Sequence, residues 1–177
     1  MQIRYIADTH LYDNYSWEWR TKYDGFDAYA EDLIRKWNET VRNDDDLTIH
    51  VGDIGTYCPR TLEVLRELRG RKALILGNHD INWEDKVYTC GIFQGVYSIF
   101  RMDNLVLCHN PDTQHLDNEY LIHGHHHGYD TFNMQKALIA YLQDTYRLNC
   151  AADLIGNRPL TLNELIICKE DMILSRR

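Results

Sequence analysis

Three short apolar runs alternate with two amphipathic stretches in the first half of the chain, and this alternation restricts the folds open to it. The runs QIRYIA (2–7), LTIHVG (47–52) and KALILG (72–77) have the length and composition of buried strands. Between them, FDAYAEDLIRKWNETV (26–41) places its apolar side chains on one helical stripe. PRTLEVLRELRG (59–70) begins with a proline, which suits the first turn of a helix. This order predicts parallel strands joined by helices.

The second half of the chain predicts a different arrangement. GVYSIFRM (95–102) and LVLCHN (105–110) flank Asp103 and Asn104, a pair typical of a hairpin turn. EYLIHG (119–124) and TYRLNCAA (145–152) are further strand candidates, whereas residues 130–144 give no clear prediction. Thr161 and Glu164 have the spacing of a capping box and predict a final helix. We therefore expect one α/β domain over residues 1–177, with parallel and antiparallel parts.

Composition excludes several classes of protein. The net charge of −8, without a block of lysine or arginine, argues against binding of long nucleic acids. The five cysteines are odd in number and form no CxxC pair, which argues against a disulfide framework or a zinc ribbon. No stretch approaches the ~20 apolar residues of a membrane helix, and the N-terminus has no signal-peptide pattern. We expect a cytoplasmic protein without a membrane partner.

Polar residues follow each of the predicted strands. Asp8 and His10 follow the first, Asp53 follows the second, and the run Asn78–His79–Asp80 follows the third. In the second half, His109 follows LVLC, and HGHHH (123–127) ends the next strand. Because ligands gather at the carboxyl ends of parallel strands, we expect these side chains to converge.

Two carboxylates, one amide and four imidazoles form a mixed nitrogen and oxygen donor set. They come from the polar residues that follow the predicted strands. Such donors suit Mn²⁺, Fe, Zn²⁺ or Ni²⁺ better than Ca²⁺, which prefers oxygen ligands alone. Seven groups exceed what one tetrahedral ion requires, so the set predicts two divalent transition-metal ions, with manganese as the leading candidate.

The ordered series DTH (8–10), GD (52–53), GNHD (77–80), His109 and GHHH (124–127) resembles the calcineurin-like metallophosphoesterase superfamily. The resemblance covers roughly residues 2–128, and residues 149–165 also resemble small bacterial members of the group. It implies a four-layer α-β-β-α sandwich with two mixed β-sheets and a binuclear metal site at one edge. No insertion is large enough to form a cap domain, so an open cleft is expected.

The resemblance also implies a role for each site residue. Asp8, His10 and His127 would hold one metal, Asp53 would bridge to the second, and Asn78, His109 and His125 would complete the second site. His79 would be the catalytic histidine, and His123 and His126 would point away from the metals. Two cations held ~3.5–4 Å apart lower the pKa of a shared water from ~15.7 to near ~7, which supplies hydroxide for attack on phosphorus.

The leading functional hypothesis is a phosphodiesterase of broad specificity, acting on small phosphate esters or nucleotides as a monomer or homodimer. The alternatives are a phosphomonoesterase and a non-catalytic metal-binding scaffold of the same fold. Some small relatives carry a glycine and a histidine after the DxH element, where this chain has Tyr12 and Asp13. Residues 11–26 are rich in tyrosine and tryptophan and could stack a nucleobase or pack on the core.

Several other polar residues have predicted positions outside the ligand set. Asp80 could orient the His79 ring, or it could contact the metal ligands without binding a metal itself. His50 and His123 lie inside predicted strands and are expected to be buried, whereas His115 lies in a polar loop and is expected to face solvent.

Overall fold

The first sheet of the computed structural model contains four parallel strands in the order β1-β2-β3-β4. The strands are β1 (Ile3–Ile6), β2 (Leu47–Val51), β3 (Arg71–Ile75) and β4 (Val96–Tyr97). They are joined by α1 (Phe26–Thr40), α2 (Pro59–Glu67), a 3₁₀ turn (Asp80–Trp83) and α3 (Lys86–Thr89). The structure describes residues 1–14, 20–127 and 134–175. The predicted β-α-β-α-β order is confirmed.

The second sheet has the order β5-β6-β7-β8 and mixes strand directions. Its strands are β5 (Phe100–Met102), β6 (Leu105–Leu107), β7 (Tyr120–His123) and β8 (Arg147–Asn149). The predicted hairpin is present: β5 and β6 pair antiparallel, and Asp103 between them has a φ of 50°. The other two pairings of this sheet, β6 with β7 and β7 with β8, are parallel.

The second half of the chain also contains three helices: α4 (Gln135–Gln143), α5 (Ala152–Ile155) and α6 (Leu162–Leu174). The predicted capping box is present at the start of α6, where Thr161 Oγ1 accepts from the Glu164 N–H and the Glu164 carboxylate accepts from the Thr161 N–H. Among the described residues, no helix is both long and apolar enough to span a bilayer.

The two sheets and their helices confirm the predicted α/β sandwich. The four strands of the first sheet are parallel, with one isolated antiparallel bridge between Tyr5 and Leu160, whereas the second sheet mixes directions among its strands. The helices cover the first sheet with apolar faces: α1 buries Ala30, Leu33 and Trp37, and α2 buries Val64 and Leu65. Complete burial of a large apolar side chain contributes about 1.5–3 kcal/mol, so these faces fix the helices on the sheet.

Backbone hydrogen bonds join the two sheets beside the end of β1. The Ala7 N–H donates to the Cys150 carbonyl at 2.8 Å, and the Ala152 N–H donates to the Ala7 carbonyl at 2.8 Å. The segment that follows β8 therefore lies against the segment that follows β1. This contact brings α5 close to the polar residues at the strand ends.

His115 corrects one expectation. Its Nε2 lies 2.9 Å from Asp144 Oδ2, and only 9% of its side chain is exposed. The prediction that this ring faces solvent is wrong, because the loop folds back onto the end of α4.

Candidate metal centre

The polar residues predicted to converge do so at the carboxyl ends of β1, β2, β3, β6 and β7. Backbone bonds align the first two segments: the Asp8 N–H donates to the Gly52 carbonyl at 2.9 Å, and the His10 N–H donates to the Asp53 carbonyl at 3.0 Å. Within the described residues, three groups of carboxylate and imidazole side chains are close enough to hold an ion. Two of these groups contain only predicted ligands.

The first cluster consists of Asp8, His10 and His127. Their side chains face one another in the buried part of the site. His127 Nε2 lies 3.4 Å from Asp8 Oδ1 and 3.0 Å from His10 Nε2. Asp8 is fully buried and His10 is 1% exposed. The Asp8 carboxylate also accepts from the His125 N–H at 3.0 Å, which ties this cluster to the end of β7.

The outer nitrogens of the two histidines in the first cluster are held by carboxylates. His10 Nδ1 lies 3.0 Å from Asp13 Oδ2, and His127 Nδ1 lies 3.0 Å from Asp153 Oδ2. Because carboxylate oxygens accept hydrogen bonds, each Nδ1 carries the hydrogen. In a neutral ring, Nε2 then presents its lone pair to the centre of the cluster, as a metal ligand must.

Asp53, Asn78, His109 and His125 form the second cluster. His109 Nε2 lies 3.1 Å from Asp53 Oδ2 and 3.1 Å from Asn78 Oδ1, and His125 Nδ1 lies 3.0 Å from the same amide oxygen. His109 Nδ1 donates to the Val51 carbonyl at 2.8 Å, so in the neutral ring, the form that binds a metal, the Nε2 lone pair would face the cluster. Asn78 and His125 are exposed, so this cluster opens to solvent.

Asp53 of the second cluster also faces the first cluster. Its Oδ2 is 3.1 Å from His109 Nε2 and 3.7 Å from His10 Nε2. Its Oδ1 accepts from the His79 N–H at 2.8 Å, which fixes the orientation of the carboxylate. One carboxylate oxygen is therefore within reach of ions held by either cluster.

The four most buried candidate ligands have strongly shifted pKa values. Burial raises the pKa of Asp8 to about 6 and lowers the pKa of His10 to about 4, although the hydrogen bond to Asp13 opposes the second shift. Burial also opposes ionisation of Asp53, but the hydrogen bond and charge of His109, together with the His79 N–H and the charge of His10, lower the pKa of Asp53 to about 2. Burial disfavours the charged form of His109, but the bond to Asp53, the charges of Asp8 and Asp53, and the bond to the Val51 carbonyl together raise its pKa to about 9. A cation bound beside Asp8 and Asp53 would favour the ionised form of each carboxylate.

Glycines make room for the buried side chains. A Cβ on Gly124 would lie within 3.0 Å of Asp8 Oδ2, and a Cβ on Gly77 would lie within 3.0 Å of Asp53 Oδ1. Real Cβ atoms essentially never approach other atoms so closely, so larger residues at these positions would displace both carboxylates. The glycines of the GNHD and GHHH motifs thus have a direct steric role.

His79 lies beside the first cluster, and 27% of its side chain is exposed. Its ring centroid is 5.0 Å from that of His10, and its Nδ1 is 3.6 Å from Asp13 Oδ2. The position is close to the candidate ligands and still open to a molecule bound from solvent.

Asp80 supports the ligand loops. Its carboxylate accepts from the backbone N–H groups of Asp53, Ile54 and Gly77 at 2.8–2.9 Å. Of the two roles considered for this residue, these contacts favour support of the ligands over orientation of the His79 ring. Burial raises the pKa of Asp80, and the three N–H groups oppose that shift.

The remaining histidines of this region belong to neither cluster. His50 and His123 are 3% and 0% exposed, as predicted for buried strand residues. His126 is half-buried, with its ring tilted against that of His125 at 5.5 Å and edge-on to that of His123 at 6.3 Å. Among the described residues, His126 belongs to none of the three groups that could hold an ion.

The aromatic segment 11–26 lies partly outside the described residues, which omit Tyr15, Trp17 and Trp19. Two of its described members pack on α1: the Tyr12 ring is 5.9 Å from that of Phe26, and the Tyr23 ring is 5.2 Å from that of Tyr29. These contacts favour packing for the described part of the segment.

Three residues around the first cluster had no predicted role: Asp13, Arg20 and Asp153. Asp13 lies three residues after His10, and a histidine–carboxylate pair at that spacing is the signal that could have indicated its contact. Arg20 lies ten residues after His10 and Asp153 lies 26 residues after His127, and no motif includes either residue.

Comparison with known proteins agrees with the resemblance and with the fold. A profile described as the calcineurin-like phosphoesterase superfamily domain matches residues 1–142. A crystal structure of a protein of unknown function, AQ665 from Aquifex aeolicus, is similar in fold, with a TM-score of 0.65 and 21% sequence identity. The alignment covers 92% of this chain and 96% of the Aquifex chain. No curated protein sequence matches significantly.

Proposed function

The chain belongs to the calcineurin-like phosphoesterase superfamily, and on that premise we propose that it is a phosphohydrolase that uses two divalent metal ions. The observation that carries the proposal is the Asp53 carboxylate, whose Oδ2 faces His10 of the first cluster and His109 of the second. Such an arrangement suits a pair of ions that share one ligand.

The proposed ligands follow the two clusters. Asp8, His10 and His127 would hold one ion, Asn78, His109 and His125 would hold the other, and Asp53 would bridge them. The donors fit metal ions because the lone pairs of His10 and His127 face each other at 3.0 Å beside a buried carboxylate. Mixed imidazole and oxygen donors favour Mn²⁺, with Fe, Zn²⁺ and Ni²⁺ as alternatives.

When bound, such a pair of ions would supply an activated water and would neutralise charge on the phosphoryl oxygens. The chain itself contributes positioning. The N–H of His79 and the N–H groups bound by Asp80 hold the loops that carry Asp53 and Asn78. The partly exposed His79 ring would donate a proton to the departing alkoxide, a contribution of about 10²–10⁴-fold in rate.

We propose a small phosphodiester as the preferred substrate class. Asn78 and His125 are exposed, and among the described residues no connection between strands forms a separate cap over them. An open site of this kind can accept a phosphorus atom that carries two organic substituents. The net charge of −8 disfavours a long nucleic acid as the bound diester.

Release of nitrophenol from bis-p-nitrophenyl phosphate tests the proposal. We expect release that depends on Mn²⁺, stops with EDTA, and is faster than release from p-nitrophenyl phosphate. Faster hydrolysis of the monoester would reverse the substrate preference. Binding of two ions without turnover of any ester would identify a metal-binding scaffold instead of an enzyme.

A further inference from the structure

We propose that Arg20 and Asp153 form a positioning pair that assembles the first cluster and thereby controls the affinity of one of the two metal ions. The inference rests on the proposed function, because it assigns Asp8, His10 and His127 as ligands. Asp153 lies in α5, and α5 follows the residues matched by the family profile, which ends at residue 142.

The guanidinium of Arg20 is buried against the backbone of the first ligand segment. Arg20 is 1% exposed. Its Nη2 donates to the Asp8 carbonyl at 2.8 Å, and its Nη1 donates to the carbonyls of Thr9 at 2.8 Å and His10 at 3.3 Å. A single side chain thus binds three consecutive carbonyls in the segment that carries two of the proposed ligands.

These carbonyls belong to a segment with an unusual backbone conformation. Asp8 has a φ of 58° and His10 a φ of 41°, both in the left-handed region that non-glycine residues rarely occupy. Such residues persist where surrounding contacts hold them in place. The bonds from Arg20 satisfy the carbonyls in that conformation, and therefore stabilise the arrangement in which both side chains point to the cluster.

Asp153 connects the same guanidinium to the third ligand. Its Oδ1 lies 3.3 Å from Arg20 Nε, and its Oδ2 lies 3.4 Å from Arg20 Nη2 and 3.0 Å from His127 Nδ1. The carboxylate accepts from His127 Nδ1, so that Nε2 of the ring faces Asp8 and His10. His10 and His127 are 117 residues apart in the sequence. The Arg20–Asp153 ion pair thus joins the two segments that supply the first cluster.

Lysine could not replace Arg20. The guanidinium carbon lies 4.0 Å from the centroid of the Tyr29 ring, so the planar group stacks on the aromatic face while its edges donate to carbonyls and a carboxylate. A lysine ammonium has three donors and no plane, and could not make this set of contacts.

The second cluster is oriented by other groups. His109 Nδ1 donates to the Val51 carbonyl, and the Asp53 carboxylate is fixed by the His79 N–H. Loss of the Arg20–Asp153 pair should therefore weaken one metal site and leave the other at its original affinity.

Titration of the metal-free protein with Mn²⁺, followed by calorimetry and elemental analysis, tests this inference without any assay of activity. We expect two ions for the wild type. Asp153→Ala and Arg20→Lys should each bind one ion with unchanged affinity and the other about 10–100-fold more weakly. Arg4→Lys is the matched control, because Arg4 is also largely buried and pairs with Glu164 at 3.2 Å on another part of the sheet.

Double variants identify the site that is affected. Asp153→Ala combined with His125→Ala should bind neither ion tightly, whereas Asp153→Ala combined with His127→Ala should bind no worse than His127→Ala alone. Equal weakening at both sites, or unchanged affinity at both, would overturn the inference. If Asp153→Ala does not fold by circular dichroism, the milder Asp153→Asn takes its place with the same expected pattern.

The outcome separates this inference from the proposed activity. Two ions with site-selective loss but no ester hydrolysis would refute the activity and support the positioning pair. A wild type that hydrolyses esters, with variants that lose both ions to the same degree, would refute the positioning pair alone.

Discussion

The Nε2 atoms of His10 and His127 lie 3.0 Å apart, and the other nitrogen of each ring is hydrogen-bonded to a carboxylate. Two imidazoles held in this way direct their lone pairs at each other, which is unfavourable unless a cation lies between them. Asp8 Oδ1, at 3.4 Å from His127 Nε2, adds negative charge to the same point. The chain is therefore built to be stabilised by a bound cation.

Metal binding should accordingly raise the stability of the fold. A ligand present at 100 times its Kd stabilises the native state by about 2.7 kcal/mol, which in a chain of this size corresponds to roughly 5–10 °C in Tm. We expect a rise of this order when Mn²⁺ is added to EDTA-treated protein, measured by circular dichroism. His127→Ala should show a smaller rise, and an unchanged Tm in the wild type would contradict the binding of ions to these clusters.

His79→Ala should separate metal binding from turnover. The side chain lies beside the first cluster and belongs to neither the first nor the second, so we expect two bound ions and a fall in kcat of about 10²–10⁴-fold. His115→Ala is the control, since that ring contacts Asp144 at 2.9 Å, away from the clusters. Undiminished turnover in His79→Ala would remove the proposed proton donor.

The two adjacent histidines of the GHHH motif should behave differently when substituted. His125 Nδ1 lies 3.0 Å from Asn78 Oδ1 within the second cluster, whereas the His126 ring packs beside His123 and His125. The bond that His126 accepts from Asn149 uses its backbone carbonyl and survives substitution. Elemental analysis should find two ions in His126→Ala and one in His125→Ala; the opposite result would show that the ligands were assigned wrongly.

The convergence of the candidate ligands was predictable because it follows from local signals. Each polar group comes directly after an apolar run, and parallel strands bring their carboxyl ends to one edge. The hairpin at Asp103 and the capping box at Thr161 were predictable for the same reason, since each depends on residues no more than a few positions apart.

Other features depend on contacts that no local pattern records. Arg20 donates to backbone carbonyls, which every residue possesses, and its carboxylate partner Asp153 is 133 residues away. Helix α4 buries only Leu138 and Tyr141, so its apolar stripe was too short to recognise in the sequence. The first sheet was expected to be mixed, but its four strands are parallel, and Tyr5 makes one isolated antiparallel bridge to Leu160, 155 residues later in the sequence.

Asp13 should influence the two histidines that it contacts. Its Oδ2 lies 3.0 Å from His10 Nδ1 and 3.6 Å from His79 Nδ1, a distance that a small ring movement would bring into hydrogen-bonding range. Loss of the carboxylate charge in Asp13→Asn should weaken proton donation by His79. Esters with poor leaving groups should be affected most, because their departing alkoxide depends most on that proton. We expect turnover to fall by about 10-fold or less for nitrophenyl esters and by up to about 10²-fold for alkyl esters. Equal losses for both esters would show that Asp13 acts only through His10.

His50 should make the fold sensitive to acid. The Thr9 hydroxyl donates to the Ile54 carbonyl at 2.9 Å, so His50 Nε2 must donate to Thr9 Oγ1, also at 2.9 Å. His50 Nδ1 is buried without a partner among the described residues, and a proton there would have no acceptor. Burial accordingly lowers the pKa of His50 to about 3, from 6.5 in an exposed ring.

The direction of the pH effect follows from these two values. Between pH 6.5 and pH 3 the unfolded chain binds a proton at His50 and the folded chain does not. The free energy of unfolding is therefore unaffected by protonation of His50 above pH 6.5 and decreases as the pH falls below that value. The loss amounts to about 1.4 kcal/mol per pH unit at most. Urea denaturation of EDTA-treated protein at pH 6.5, 5.5 and 4.5 should therefore give a shallower pH dependence for His50→Gln than for the wild type. Equal slopes would mean that His50 accepts a proton in the folded state, in conflict with its buried and unpaired Nδ1.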